Sequence, residues 1–319
     1  MSPNPLRLAT RTSPLALWQA HHVRDLLQAV GHGAELVMVT TRGDRVIDRP
    51  LHELGGDGLF TREVQEVVLA GEADVAIHSL KDLPTAAVPG LTLAGIPARG
   101  PQGDAWVSRI YPHLADVPLG SRVATGSMRR RAQLLNRRPD LQVEDLRGNI
   151  GTRLSRLADE GLSGIILAEA GLRRLGLDAE IREILDPIWM LPAVGQGALG
   201  LECRTDDQTT QDILKILTEP TAWATSLAER AMLRALGGGC LVPVGVFSTT
   251  EGTTGRLVAV VLDETGARRL EVTHEGPLAD PQELGESVAR ALIDAGADSI
   301  LSTVEKRYLG QPTNRPRGA

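Results

Sequence analysis

The sequence predicts an α/β protein made of two similar strand-and-helix units followed by a small α+β unit. Three observations carry that prediction. Strand and helix patterns alternate from Leu6 to Ser79, and they restart after the Pro- and Gly-rich stretch 97–103. From Val242 they give way to three alternating runs and a helix.

The elements follow in chain order. LRLAT (6–10) reads as a strand, Ser13 to Ala29 as a helix, ELVMVT (35–40) as a strand, a second helix starts at Thr61, and DVAIHS (74–79) is a strand. This βαβαβ order predicts parallel strands. The second unit has strands DAWVS (104–108) and RVATG (122–126), a helix from Ser127, strand LQVEDL (141–146), a helix from Asn149 and strand GIILA (164–168). LPAVGQGALGLECR (191–204) supplies a further apolar strand that can close back onto the first unit, with helices near 206–217 and 220–236. VPVGVFS, GRLVAVVLD and RRLEVTHEG then read as antiparallel strands, and 281–295 as a helix. The expected division is a first domain of 1–98 plus 195–217, a second of 99–194, a third of 218–305, and a tail, 306–319, expected to be disordered because it lacks an apolar period.

At 319 residues and 42% hydrophobic, the chain is long enough to build these cores without covalent staples. It has two cysteines, Cys203 and Cys240, and its start, MSPNPLRLAT, lacks the character of a secretory leader, so a cytoplasmic, reduced protein is expected. No window approaches the ~18 apolar residues that span a bilayer, which argues against a membrane partner. The net charge of −6 is uneven: residues 122–156 hold nine arginines against three acids, leaving −12 for the remainder. That asymmetry points to an anionic ligand, although Arg137 and Arg138 fit a solvated helix face. With 3% aromatic residues to stack on bases, nucleic acid is a poor candidate partner.

Ligands of open parallel sheets bind at the carboxyl ends of strands, so the residues just after each strand come first. They are Thr10-Arg11-Thr12-Ser13, His78-Ser79-Leu80-Lys81-Asp82, and Thr125-Gly126-Ser127 followed by Arg129 and Arg130. Ser13 and Ser127 read as helix N-caps, and a helix N-terminus beside arginine also suits a carboxylate. Arg147, Arg153 and Arg174 extend the same rim. Lys81 is one of only three lysines among 34 basic residues, and Asp82 is the one acid amid these bases. Asp82 is either an ion-pair partner of Lys81 or a carboxylate that stabilises developing positive charge. No histidine pair has the spacing of a metal site, and none is expected. Residues 46–58, with Glu53 and Asp57, read as a lid. Cys240 ends the run Gly237-Gly238-Gly239-Cys240, which leaves its thiol uncovered, whereas Cys203 reads as buried packing.

The blocks LRLATRTSPLALWQA, VTTRGD, GLFTRE, ADVAIHSLKDLPT, RRRAQLLNRRPDL, LRGNIGTRLSRL, AGLRRLGL, LPAVGQGALGLECR and AERAMLRALGGGCLVPVG, in this order, resemble the porphobilinogen deaminase (hydroxymethylbilane synthase) family. The resemblance implies two domains like a type II periplasmic binding protein and a small α+β domain with a three-stranded antiparallel sheet. It implies a dipyrromethane cofactor attached to Cys240 through a thioether, on which four porphobilinogen units are joined and then released by hydrolysis. It assigns Lys81, Asp82, Thr125, Ser127, Arg129 and Arg130 to the cofactor, Arg11, Ser13, Arg147, Arg153 and Arg174 to the substrate, and catalysis to Asp82. A monomer acting on a small molecule is implied. The chain departs from the family pattern at Gly126, where a serine is common, at Glu53 and Asp57, where lysines are common, and at Trp106, where phenylalanine is common. The arginines by themselves leave a second reading open, a non-catalytic two-domain receptor for a polycarboxylate.

Overall fold

The structure, a computed structural model, describes residues 4–41, 58–237 and 242–308. Strand β1 (Leu6–Arg11) lies parallel to β2 (Ala34–Val39) and to β3 (Val75–Ser79). Its alternate residues serve two cores, Leu8 facing helix α1 (Pro14–Ala29) and Ala9 facing α2 (Arg62–Leu69), as expected of a sheet covered on both sides. The first sheet is completed from afar. Strand β10 (Leu199–Arg204) pairs antiparallel with both β3 and β4 (Leu91–Gly95), giving the order β2-β1-β3-β10-β4.

The second sheet repeats the arrangement. Strands β6 (Arg122–Ala124), β7 (Gln142–Glu144) and β8 (Gly164–Ala168) are parallel, and β5 (Asp104–Val107) runs against β8 and β9 (Glu183–Leu185), in the order β7-β6-β8-β5-β9. Helices α3 (Met128–Arg137), α4 (Ile150–Asp159) and α5 (Glu169–Arg174) accompany it. After α6 (Gln208–Ile216) and α7 (Pro220–Ala235) comes an antiparallel meander, β11 (Val244–Glu251), β12 (Thr254–Leu262) and β13 (Arg269–Pro277). α7, α8 (Pro281–Asp294) and α9 (Ala297–Tyr308) pack on it around Met232, Val246, Leu257 and Val288.

The strands of the βαβαβ segment are parallel as expected, and both large sheets become mixed only through β10 and β5, which run against their neighbours. The apolar patterns locate β5 and β10 but carry no direction, and each of these strands enters its sheet from the other half of the chain. The two-residue-period signal also passed over β4 and the three-residue β9, and helix α5 is too short to show a period. Helix α9 continues to Tyr308, three residues into the stretch expected to be disordered; residues 309–319 lie outside the described residues.

The chain passes between the large sheets twice, from β4 to β5 and from β9 to β10. Both passages meet at Glu229 of α7, which is fully buried. Its carboxylate takes two hydrogen bonds from Arg99 (2.7 and 3.0 Å), one from the Gly195 amide (2.7 Å) and one from Ser248 (2.6 Å). A buried charge is tolerable when so satisfied. The node fixes the third sheet against the passages that set the cleft.

Candidate active site

The turn that carries Lys81 and Asp82 grows out of β3. Ser79, at its end, leads into a single 3-10 turn, Leu80–Asp82, whose Leu80 is buried and donates its amide to Ala198 O (3.0 Å). Beneath it the His78 imidazole lies 3.1 Å from Glu202 of β10, which also accepts from Gln65 (2.7 Å). Asp82, Arg11, Ser13, Gln19, Phe60 and Ser79 line one open cavity of about 60 Å³. Ser13 caps α1 by accepting from the Ala16 amide (3.4 Å), and the Arg11 guanidinium sits 4.4 Å above the Phe60 ring. Gln19 donates to Ser79 Oγ (2.7 Å). Sequence reasoning missed Gln19 and Phe60; a buried amide on the inner face of α1 was the available signal.

Lys81 is half-buried. Burial pushes its ammonium down to about 8, against the pull of Asp82, while Arg130 and Arg129 push in the same direction as burial. Arg153, at the start of α4, donates Nε to Gly148 O (2.8 Å). Its guanidinium is lowered to about 10, by burial first and then by Arg130, with Asp82 opposing. Arg153 and Lys81, from different sheets, thus share the field of Asp82. Arg147 stands 3.7 Å from Asp145.

Thr125 follows β6, buried, and its hydroxyl accepts from the Ser127 amide (3.3 Å), while Ser127 caps α3 by accepting from the Arg130 amide (3.4 Å). Between them a Cβ at position 126 would overlap the Leu146 carbonyl oxygen, so Gly126 suits its backbone and a serine there would not fit as the chain stands. A similar fit explains Trp106. Its ring is fully buried over Gly164, where any Cβ would overlap it, and its Nε1 donates to Tyr111 O (3.1 Å).

Arg129 and Arg130 face inward. Both are buried and both pair at 2.7 Å with Asp104, the first residue of β5. Burial alone would raise the Asp104 carboxyl; Arg129 and Arg130 outweigh it and hold the group well below the usual carboxylate range. Gln196, from the second passage, donates to the same carboxylate (2.9 Å). Asp82 is thus not the one acid among these bases, contrary to the expectation from sequence, where DAWVS shows only a strand pattern. Arg174 occupies the seam between the large sheets, with Nη2 donating to Gly197 O and its guanidinium 5.5 Å over Trp18 of α1. Cys203 is buried and its thiol is pushed up to about 12 by burial. Cys240, Glu53 and Asp57 lie outside the described residues; the lid expected over 46–58 does so up to residue 57.

A family model described as porphobilinogen deaminase, dipyrromethane cofactor binding domain, matches residues 6–212. The chain belongs to the porphobilinogen deaminase family. A second model, the porphobilinogen deaminase C-terminal domain, matches residues 223–294, so the match takes in all three sheets. Dipyrromethane is accordingly the cofactor of the matched region, and membership of the deaminase family makes the chain a transferase.

Solved structures with a similar course of chain include a methionine binding protein, MetQ (13% identity, 72% of this chain and 94% of that one, TM-score 0.44). Another is an ABC transporter periplasmic substrate-binding protein from Coxiella burnetii (12% identity, 70% and 96%, TM-score 0.43). Among the described residues, no cluster of side chains suits a metal ion and no helix is long and apolar enough to cross a membrane.

Proposed function

We propose that this deaminase-family chain is a hydroxymethylbilane synthase, which deaminates porphobilinogen, joins four units head to tail on a dipyrromethane primer held by Cys240, and releases the linear tetrapyrrole with water. One observation carries the reading: Asp82 shares a cavity with Arg11 and Ser13 and lies in the field of the half-buried cations Lys81 and Arg153. Partly buried cations gain more from carboxylates than solvated ones do, and pyrroles bearing acetate and propionate supply them.

The primer fits the residues present. Lys81 is a half-buried ammonium, and the buried Arg129 Nε has no hydrogen-bond partner among the described residues. Lys81, Thr125, Ser127, Arg129 and Arg130 would hold the primer carboxylates, the two arginines with Asp104 already between them. When bound, the primer supplies the carbon nucleophile at which the chain grows. Arg11, Ser13, Arg147 and Arg153 bind the incoming pyrrole, and Arg174 acts at the seam as the chain lengthens.

Asp82 does the chemistry. Loss of ammonia from the substrate aminomethyl group leaves positive charge spread over the pyrrole and its methylene, and a carboxylate close to the ring N–H offsets that charge. The same carboxylate would accept the proton displaced from the α-carbon of the ring that makes the new bond, as that ring regains aromaticity.

The test is direct. Purified protein is expected to consume porphobilinogen, to weigh one dipyrromethane more than its sequence, and to colour with acidic Ehrlich reagent. Cys240→Ser should lose the extra mass and the colour. Asp82→Asn keeps the shape and removes the charge, so it should retain the adduct and lose on the order of 10²-fold or more in kcat. A protein of bare sequence mass that binds polycarboxylates and leaves porphobilinogen intact would instead be the receptor.

A further inference from the structure

The turn that presents Lys81 and Asp82 is anchored at its near end through the Leu80 amide on the carbonyl of Ala198, the residue before β10. Its far end is held from another part of the molecule. Arg230, on α7, donates Nη1 to Leu83 O (2.9 Å) and Nη2 to Pro84 O (2.7 Å). Two bonds from one planar fork to consecutive carbonyls fix the tilt of the peptide as well as its position, which the point charge of a lysine does not. The same guanidinium lies in the field of Glu202. Burial would raise that carboxyl, and His78, Gln65 and Arg230 together lower it.

The helix that carries Arg230 also leads to the cysteine. α7 ends at Ala235, and Gly237, with φ +65°, turns the chain immediately before 238–241. Seven residues separate Arg230 from Gly237, about 10 Å at the rise of an α-helix. The helix is not free to slide, because Glu229, the preceding residue, is locked into the node with Arg99, Gly195 and Ser248. One helix therefore grips the peptide next to Asp82 and leads, through Gly237, towards Cys240 in the sequence.

We infer that Arg230 is a positioning residue: it holds the Asp82 turn at a set place relative to the end of α7 and Gly237, from which the sequence runs on to Cys240. The inference rests on the proposed roles of Asp82 and Cys240, and the contact itself does not. Arg230 touches no reacting atom and acts through the backbone of Leu83 and Pro84.

The experiment compares full-length wild type with Arg230→Met and Arg230→Lys. Backbone hydrogen exchange over 79–86 should quicken about tenfold in both variants, with β6 and β8 unchanged. Steady-state kinetics with porphobilinogen should show kcat down about tenfold and KM within about threefold, and combining either variant with Asp82→Asn should add no further loss. A residue that merely stabilises the fold would lower the melting temperature, leave kcat within about twofold, and add its full effect to Asp82→Asn; any of the kinetic results in that set overturns the inference. Unchanged exchange at 79–86 overturns it too. If Arg230→Met does not fold, Arg230→Lys, which keeps the charge and loses the fork, decides the same comparisons. A wild type that leaves porphobilinogen intact sinks the proposed function instead, and exchange at 79–86 then decides alone whether Arg230 positions the turn.

Discussion

Lys81 and Asp104 show how one environment moves two charges in opposite functional directions. Lys81 is pushed down to about 8 by burial, so the unliganded protein loses this positive charge as pH rises through that value. Affinity for a pyrrole carboxylate should therefore weaken. Titration calorimetry of Cys240→Ser with a non-reactive pyrrole dicarboxylate, at pH about 7 and about 9, reads the change, and equal affinities would remove Lys81 from the contact. Lys81→Arg, always charged, should bind alike at both. Folding stability has the opposite sign: between about 8 and the ordinary 10.5 the unfolded chain binds the extra proton, so this group's contribution grows as pH rises through that window. Asp104 is held low, so its contribution is complete above the ordinary 3.8 and is lost as pH falls through its folded value. Asp104→Asn leaves two guanidinium groups buried against a neutral amide, which should cost about 3–5 kcal/mol, seen as an earlier urea midpoint.

Elements are placed here by what their backbones approach. The segment from β6 to α3 passes so close to the Leu146 carbonyl that position 126 admits no Cβ. Gly126→Ser, which would restore the commoner family residue, is therefore expected to destabilise by about 1–3 kcal/mol and to disturb the Thr125 and Ser127 hydroxyls. Equal stability of this variant in urea would mean that the loop after β7 yields without cost. Trp106 is the converse case. The large ring fits because the facing strand has Gly164, so Trp106→Phe should lose about 1 kcal/mol through the unfilled space and the unmade bond to Tyr111 O.

At the scale of the whole molecule, the three sheets are joined by buried polar groups as well as by apolar packing of Ala132 and Leu191 on Val260 and Leu262. Glu229 receives Arg99, Gly195 and Ser248, Gln196 joins the second passage to Asp104, and Arg174 ties α5 to Gly197 and Trp18. Glu229→Gln removes the counter-charge of a buried arginine, at a cost of about 3–5 kcal/mol. Exchange should quicken at 96–103 and 194–198 together, because both passages hang on one carboxylate. If only one passage responds, the node is not shared.

Much of this architecture was legible in the chain because it rests on local chemistry. Apolar alternation marked both sets of parallel strands and the terminal meander, Ser13, Ser127 and Asn149 marked helix starts, and the ends of strands marked Arg11, Lys81, Asp82, Arg147 and Arg153 as neighbours of one cleft. The run of glycines before Cys240 and the order of nine blocks marked the family. What stayed hidden depends on groups far apart in sequence: the reversed direction of β5 and β10, the partnership of Asp104 with Arg129 and Arg130, the seam position of Arg174, and the grip of Arg230 on Leu83 and Pro84. Side-chain periodicity and capping are decided within one turn or one strand. Strand direction and ion-pair choice are decided by which segments meet when the core closes, and that geometry exists only in the folded chain.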